Sequence, residues 1–287
     1  MRHPPDETWT NIGTASWAKT IIGPEVKLDA FPGRVVIAIG DVHGRSDLLR
    51  AVENAVVALG LPKLEPKPIV VLLGDLIDRG PDSIGVLQIA ARPIAGLDTI
   101  ALSGNHEQML RSVLSAKNEE EADERMELWS RNGGDATLLS LGLDISEVLD
   151  DPERGVEKIE RALGGSLRLI EQMPIHAIFG NVLLVHAGVH PAKPILEFIN
   201  GPDIVPEWDT QSPLWIREPF LGWDESLADG FIVIHGHTVR PNPETAPHRI
   251  GIDTGAASSG NLTAAIISDG SVRFLMASDA GATTMNL

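Results

Sequence analysis

Residues 35–44 decide the fold, and they read Val-Val-Ile-Ala-Ile-Gly-Asp-Val-His-Gly. A short apolar run rich in β-branched residues predicts a buried strand, and this run stops at a glycine that is followed by Asp41 and His43. One position separates these two polar residues on an extended loop, so both side chains can close on one metal ion. The pattern is a weak signal when it occurs alone, because Gly-Asp pairs also form ordinary turns.

The same arrangement recurs four more times along the chain. The apolar runs and the polar residues that follow them are 69–73 with Asp75, 99–102 with Asn105 and His106, 182–185 with His186, and 231–234 with His235 and His237. In layered α/β folds such loops meet at the carboxyl ends of the strands, where ligands bind. Five loops of this kind predict a metal site, since turns alone do not need four neighbouring histidines.

Composition restricts the possible partners. A chain of 287 residues fits one large domain with an insertion. The net charge of −17 argues against nucleic acid as a partner, because phosphate backbones are bound by clustered Lys and Arg. No apolar run reaches the roughly 20 residues of a membrane span, and the first ten residues do not resemble a signal peptide. We therefore expect no membrane partner and a cytoplasmic location.

The absence of cysteine limits the metal chemistry. Disulfides and thiolate metal sites are excluded. Any metal must be held by imidazole, carboxylate, carbonyl or water, and these ligands suit Mn, Fe, Zn or Mg.

Helix signals lie between the strands and in a long central segment. Ser46 is expected to cap a helix that stops at Gly60, and a second helix is expected after Pro81. Residues 108–173 are helical in character, which predicts a helical cap inserted at about 107–174. Residues 1–30 have weak periodicity and are predicted to be an N-terminal extension of a domain that spans 31–287. Strands are expected at 250–252, 262–267 and 272–276, with an Asp269-Gly270 hairpin between the last two.

These loops closely resemble the motifs of the calcineurin-like metallophosphoesterases. The matching stretches are Gly40-Asp41-Val42-His43-Gly44, Gly74-Asp75-Leu76-Ile77-Asp78-Arg79-Gly80, Gly104-Asn105-His106-Glu107, His186-Ala187-Gly188 and Gly236-His237-Thr238. The resemblance spans residues 40–238 and is greatest to the branch with the serine/threonine phosphoprotein phosphatases and the bacterial diadenosine tetraphosphatases. It implies an α/β fold in which a two-sheet β-sandwich is flanked by helices and carries the metals at its rim.

The resemblance also implies a set of metal ligands. Asp41 and His43 would hold a first ion, Asp75 would bridge, and Asn105, His186 and His237 would hold a second ion. His235 is expected behind the ligands, with direct ligation as the alternative. Two divalent ions are expected, with manganese first and iron, zinc or nickel as alternatives. Two cations roughly 3.5 to 4 Å apart make a hydroxide from bridging water and neutralise charge on the phosphoryl oxygens.

The remaining roles come from the same resemblance. His106 matches the catalytic acid of the family, and Asp78 matches the carboxylate that orients it; a helix-start role for Asp78 is the alternative. Arg79, Arg217 and Asn105 are expected to bind the substrate phosphate, because a guanidinium fork matches two phosphate oxygens. Arg217 in Trp215-Ile216-Arg217 could instead be a surface cation that packs on an aromatic ring.

Two further segments resemble parts of the family. Residues 129–135, Trp-Ser-Arg-Asn-Gly-Gly-Asp, are followed by Thr137 and resemble a segment that bacterial members place over the active site. The alternative is an ordinary helix C-terminus at a glycine pair. Asp253-Thr254-Gly255-Ala256 is interpreted as structural support.

The functional prediction is hydrolysis of phosphate monoesters by a metal-bridging hydroxide with His106 as the general acid. The expected partners are phosphorylated proteins, modified on serine, threonine or tyrosine, or small phosphoesters. The rival enzyme is a hydrolase of dinucleoside polyphosphates such as diadenosine tetraphosphate, which would use the same metal centre. A rival of another class is a metal-binding scaffold without catalysis. Such a scaffold would not need His106, Asp78 and Arg79 together.

Overall fold

The structure is a computed structural model, and it describes residues 8–11, 17–22, 34–199, 209–268 and 271–278. The strands formed by these residues are β1 (Thr8–Asn11), β2 (Trp17–Ile22), β3 (Val36–Ile39), β4 (Ile69–Leu72), β5 (Asp98–Ala101), β6 (His176–Phe179), β7 (Val182–Val185), β8 (Ile232–His235), β9 (Glu244–Ala246), β10 (Arg249–Gly251), β11 (Asn261–Ser268) and β12 (Ser271–Ser278). The α-helices are α1 (Ser46–Ala58), α2 (Ser83–Ala90), α3 (Asn105–Leu114), α4 (Glu119–Trp129), α5 (Asp135–Ser140), α6 (Ile145–Leu149), α7 (Pro152–Leu163), α8 (Gly165–Gln172), α9 (Ile195–Ile199) and α10 (Ala256–Ser259). A 3₁₀ turn lies at Leu61–Lys63, and a π-helical segment, Ser130–Gly134, joins α4 to α5.

The strands form two mixed sheets. The seven-stranded sheet has the order β1-β2-β12-β11-β3-β4-β5, and the five-stranded sheet has the order β6-β7-β8-β10-β9. Strands β3, β4 and β5 are parallel to one another, and so are β7, β8 and β10. This architecture confirms the predicted fold class of two sheets flanked by helices.

The side chains of the central strands alternate between two apolar layers. In β3, Val36 and Ala38 join a core between the two sheets, whereas Ile37 and Ile39 join a core beneath α1, α2 and α3. In β7, Val182 and Leu184 face the core between the sheets, and the other two residues face a third core that includes α9. Burial on both faces explains why these strands are continuous apolar runs rather than alternating ones.

The first two predicted helices are present, with one correction. Helix α1 ends at Ala58, and Gly60 follows in the left-handed conformation. Helix α2 begins at Ser83 after Pro81. The expected cap at Ser46 is wrong: Ser46 is already the first helical residue, and its hydroxyl donates to the carboxylate of Asp82 instead.

Helices α3 to α8 occupy the chain between β5 and β6, where helical structure was expected. The boundaries of the cap at 107 and 174, and the division of the chain near residue 30, stay predictions. Strands β1 and β2 were not predicted; β2 pairs with β12 and extends the larger sheet. Strands β11 and β12 pair as expected, although Asp269-Gly270 lies outside the described residues. Among the described residues, no helix is both long and apolar enough to cross a bilayer.

Candidate metal centre

The five predicted loops meet at one rim of the sandwich. Because β3, β4 and β5 are parallel, the residues after them emerge at the same edge, and the second sheet adds the residues that follow β7 and β8. The six predicted ligands are all buried there: Asp41, His43, Asp75, Asn105, His186 and His237. Their burial is unusual for polar side chains and requires partners.

Asp75 stands at the centre of this cluster. It belongs to two groups of possible ligand atoms, one with His43 and His106 and one with His186 and His237, and within each group all atoms lie within 4.8 Å of one another. The Oδ2 atom of Asp75 is 3.5 Å from Nε2 of His43, and the Oδ1 atom is 3.3 Å from Nε2 of His186. One carboxylate therefore serves both groups, as a bridging ligand must.

Hydrogen bonds fix which nitrogen of each imidazole faces the site. Nδ1 of His43 donates to the carbonyl of Ile77 at 2.8 Å, and Nδ1 of His186 donates to the carbonyl of Leu73 at 3.0 Å. Since a carbonyl only accepts, Nε2 of each neutral ring presents a lone pair to the site.

Lone pairs converge around His186. Its Nε2 lies 2.9 Å from Oδ1 of Asn105 and 3.3 Å from Oδ1 of Asp75. Such an arrangement is stable only with a proton or a cation between the atoms. Buried Nε2 of His237 also has no hydrogen-bond partner among the described residues. The donor set therefore fits divalent ions held by imidazole, carboxylate and amide oxygen.

The ionisation of the histidines agrees with that fit. Burial lowers the pKa of His43 to about 3, and burial followed by the positive charge of His186 lowers the pKa of His237 to about 2. Both rings are thus neutral, which is the form that binds metal. Burial also opposes the charge of His186, but the Asp75 carboxylate outweighs it and raises the pKa of His186.

Asp41 belongs to neither of the two groups of ligand atoms, but it contacts the backbone of His237. Its carboxylate accepts the backbone N–H of His237, with Oδ2 at 3.0 Å from that nitrogen. Burial raises the pKa of Asp41 well above its usual range, and the charges of Asp253 and Asp75 raise it further. Buried carboxylates this close together need protons or cations to remain there.

Asp253 follows β10 and was interpreted from the sequence only as structural support. It is buried, and burial raises its pKa, as does the charge of Asp75. A signal was present in the sequence, because Asp253 directly follows residues 250–252, which were predicted to form a strand.

His106 and Asp78 form a buried pair beside Asp75. Nδ1 of His106 lies 2.7 Å from Oδ2 of Asp78, which fixes the ring. Nε2 of His106 has no hydrogen-bond partner among the described residues and is 3.8 Å from Oδ2 of Asp75. Asp78 does not start a helix: α2 is capped by Asp82, whose carboxylate accepts the N–H of Gly85.

The two predicted phosphate-binding arginines lie at the surface of the site. Arg79 is exposed, and its Nη1 is 2.7 Å from Nε2 of His43. Arg217 is also exposed, and its charge contributes to lowering the pKa of His237, although burial is the main cause. Next to it, Trp215 stands edge-on to His237 with ring centroids 6.2 Å apart.

His235 lies outside both groups of ligand atoms. Nδ1 of its ring donates to the carbonyl of Gly236 at 3.0 Å, and the ring stands edge-on to Phe220 at 5.2 Å. Burial lowers the pKa of His235 to about 3. The ring is therefore a neutral, buried neighbour of the centre.

Glu107 is a residue whose role the sequence did not reveal. It is fully buried, and its carboxylate accepts four backbone N–H groups, from Gly104, Asp75, Leu76 and Ile77. Glu107 therefore joins the loop of Asp75 to the start of α3. Its place at the third position of a helix was the available signal, since glutamate there often accepts the N-cap N–H.

The sandwich and its rim of Asp, His and Asn side chains define a metal-dependent hydrolase. A family model described as calcineurin-like phosphoesterase matches residues 34–256. The chain belongs to this family, and the enzyme is a metal-dependent phosphoester hydrolase. The family uses a dinuclear centre of divalent ions, and the two His/Asp groups of this chain supply candidate ligands for one.

Two kinds of phosphoesterase are found among the relatives of this chain. Serine/threonine-protein phosphatase 2 of Escherichia coli is 26% identical over 241 residues, which are 83% of this chain and 94% of that protein. The asymmetrical bis(5'-nucleosyl)-tetraphosphatase PrpE of Oceanobacillus iheyensis is 26% identical over 240 residues, 79% of this chain and 86% of that protein. A solved serine/threonine phosphatase from Saccharomyces cerevisiae shares the fold, with a TM-score of 0.52, 16% identity, and coverage of 88% of this chain and 82% of that one.

Proposed function

We propose that this enzyme hydrolyses phosphate monoesters on serine, threonine or tyrosine residues of proteins, with His106 as the general acid. The observation that carries the proposal is the position of Nε2 of His106, which is buried, lacks a hydrogen-bond partner among the described residues and lies 3.8 Å from the Asp75 carboxylate. A proton on this nitrogen is available to a leaving oxygen beside the two groups of ligands.

The proposed metal ligands divide around Asp75. Asp41 and His43 hold one ion with Asp75, whereas Asn105, His186 and His237 hold the other with the same carboxylate. Manganese is the proposed metal, because imidazole-containing sites favour ions softer than magnesium. Two bound ions supply Lewis acidity and a nucleophilic water near neutral pH.

Asp78 and the arginines complete the proposed chemistry. Asp78 accepts the Nδ1–H of His106, which keeps the ring oriented with Nε2 towards the ligands. Arg79 and Arg217 bind the phosphoryl oxygens through their guanidinium groups, and the side chain of Asn105 assists them. Both arginines are exposed, so they can reach a phosphate that enters from solvent.

A dinucleoside polyphosphate is the second candidate substrate, because the PrpE relative matches as well as the protein phosphatase relative. The net charge of the protein favours a phosphate monoester over a dinucleoside polyphosphate as the substrate. The chain carries a net charge of −17, and repulsion opposes a polyanion more than it opposes a single phosphate on a peptide. The cytoplasmic location inferred from the sequence stays a prediction.

A substrate panel tests the proposal. Manganese-loaded enzyme is assayed with a phosphoserine peptide, a phosphotyrosine peptide, an aryl phosphate and diadenosine tetraphosphate. We expect kcat/KM for a phosphopeptide to exceed that for the dinucleotide. A higher kcat/KM for diadenosine tetraphosphate would show that the enzyme is a dinucleoside polyphosphate hydrolase instead.

The acid role of His106 has its own test. His106→Asn should strongly reduce kcat on the phosphoserine peptide, whose alkoxide must be protonated to leave, and should reduce it much less on an aryl phosphate. Both metals should remain bound. Equal losses on the two substrates, or loss of metal, would exclude His106 as the leaving-group acid.

A further inference from the structure

Four polar groups within residues 129–140 contact the segment that contains Asp78; they belong to Trp129, Gly133, Thr137 and Ser140. We call these residues the cap segment; they comprise the end of α4, the π-helical turn Ser130–Gly134 and α5. We propose that Trp129 and Thr137 are positioning residues for the catalytic acid, acting through the carboxylate of Asp78. This inference rests on the proposed role of His106.

The first observation is the set of hydrogen bonds around the Asp78 carboxylate. Oδ2 of Asp78 accepts the indole N–H of Trp129 at 2.8 Å, beside Nδ1 of His106 at 2.7 Å. Oδ1 accepts the hydroxyl of Thr137 at 2.6 Å. Asp78, His106, Trp129 and Thr137 are all fully buried. Each oxygen of the Asp78 carboxylate therefore has a hydrogen bond from the cap segment, and Oδ2 also accepts the Nδ1–H of His106.

The second observation is that the backbone around Asp78 is held by the same segment. The N–H of Asp78 donates to Oγ1 of Thr137 at 3.0 Å, and the N–H of Arg79 donates to the carbonyl of Gly133 at 3.0 Å. Farther along, the N–H of Ile84 donates to Oγ of Ser140 at 3.0 Å. Three backbone N–H groups between residues 78 and 84 are therefore bonded to the cap segment.

The glycine pair makes this close approach possible. Gly133 has a φ of +108°, and a Cβ at this position would come within 2.7 Å of Cγ of Arg79. A Cβ at Gly134 would collide with the indole ring of Trp129. The pair therefore forms a kink between two helices, because the backbone of Gly133 is not helical and α5 begins directly after Gly134. It allows the cap segment to lie against Asp78 and Arg79.

The backbone conformation explains why such support is needed. Asp78 has a φ of +70° and Arg79 has a φ of +67°, both in the left-handed region. Non-glycine residues remain there only when surrounding contacts impose the conformation. When Thr137 or Trp129 loses its donor, the Asp78 carboxylate gains rotational freedom, and the imidazole of His106 loses its fixed direction.

The test compares isosteric variants at Thr137. Thr137→Val removes the hydroxyl at nearly constant volume, and Thr137→Ser keeps it. On the phosphoserine peptide, Thr137→Val should lower kcat by about tenfold, as expected for loss of a hydrogen bond to a buried charged group, with KM unchanged. On the aryl phosphate the loss should stay below about twofold, because a good leaving group needs little protonation. Thr137→Ser should restore most of the activity.

Trp129→Phe is the second variant, and Trp223→Phe is its matched control. Both changes remove one indole N–H, but that of Trp223 is buried without a hydrogen-bond partner among the described residues. Trp129→Phe should show the same leaving-group dependence as Thr137→Val, and Trp223→Phe should show none. Metal content and the melting temperature are measured for every variant, so that a folding defect is recognised.

A readout independent of turnover is the proton resonance of Nδ1–H of His106, which the bond to Asp78 shifts downfield. The resonance should be absent in His106→Asn, shifted or broadened in Thr137→Val, and restored in Thr137→Ser. In the His106→Asn background, Thr137→Val should have no further effect on kcat, because the group through which it acts is gone.

The outcomes separate this inference from the proposed function. If His106→Asn shows no leaving-group dependence, the acid role itself is wrong. If His106→Asn shows it but a folded, metal-loaded Thr137→Val enzyme loses both activities equally or neither, the positioning role alone is overturned. An unchanged Nδ1–H resonance in Thr137→Val would also overturn it.

Discussion

Replacing Glu107 with glutamine should destabilise the protein and weaken metal binding together. Oε2 of Glu107 accepts the N–H of Asp75 at 2.9 Å and of Gly104 at 2.8 Å, and Oε1 accepts the N–H of Leu76 at 2.7 Å and of Ile77 at 3.3 Å. In the variant one oxygen becomes an NH₂ group. Whichever oxygen is replaced, two backbone N–H groups then face a donor instead of an acceptor.

The cost follows from the number of hydrogen bonds lost. A buried N–H group that is left without an acceptor costs about 1 to 3 kcal/mol, so two of them give a loss of about 2 to 6 kcal/mol. This is a large part of the roughly 5 to 15 kcal/mol by which proteins are stable. The loop that carries Asp75 is released by the same change, and so both metal sites should weaken.

Urea unfolding of the metal-free protein measures the first effect, and calorimetric titration with Mn²⁺ measures the second. Glu127→Gln is the control, because Glu127 is exposed and forms an ion pair with Arg131 one helical turn away. It should leave the unfolding midpoint and the metal affinity unchanged. If Glu107→Gln unfolds at the wild-type urea concentration and binds manganese equally well, Glu107 does not hold this loop.

Three further predictions concern the site itself. Asp75→Asn should lose both metals rather than one, because the carboxylate belongs to both groups of ligand atoms. Elemental analysis measures the bound metal, and two ions bound at wild-type affinity would show that Asp75 is not a bridging ligand. Arg217→Ala should lower kcat/KM by about tenfold or more through a raised KM, because a charge-assisted contact with the phosphate is lost; the metal content should not change. Unaltered kinetics would show that Arg217 does not contact the phosphate. Manganese affinity should fall as the pH falls through the raised pKa of His186, because the proton that Asp75 stabilises on this ring competes with the metal. His43 holds no competing proton near neutrality, since burial lowers its pKa to about 3. A manganese affinity that does not change with pH below neutrality would contradict this prediction.

The sequence was sufficient for the features that depend on short stretches of chain. Residues 36–39 are apolar at every position, which indicates a strand buried on both sides, and the structure has that strand between two apolar cores. Gly40, Gly74 and Gly104 mark the ends of the first three runs. Asp41, Asp75 and Asn105 follow them at the same rim, because parallel strands end at the same edge. Local pattern and simple topology together therefore locate the centre.

Features that depend on distant partners could not be predicted in this way. Strand β2 pairs with β12, so that Ile22 lies opposite Arg273, and no local pattern links two segments so far apart. Ser46 looked like a helix cap, but Asp82 offers its hydroxyl an acceptor from another part of the chain. The role of Glu107 depends on the loop after β4, whose N–H groups are directed at it only in the folded protein.

The same distant contacts explain how the site keeps its shape. Among the described residues, six non-glycine residues have a left-handed φ, and five of them are His43, Asp75, Asp78, Arg79 and His237. Each such residue costs of the order of 1 to 3 kcal/mol, and the surrounding structure must impose it. Glu107 imposes the conformation at Asp75 from α3, and the cap segment imposes it at Asp78 and Arg79. The short motifs therefore supply the ligands but not their geometry, and residues that touch neither metal nor substrate are needed to turn those motifs into a site.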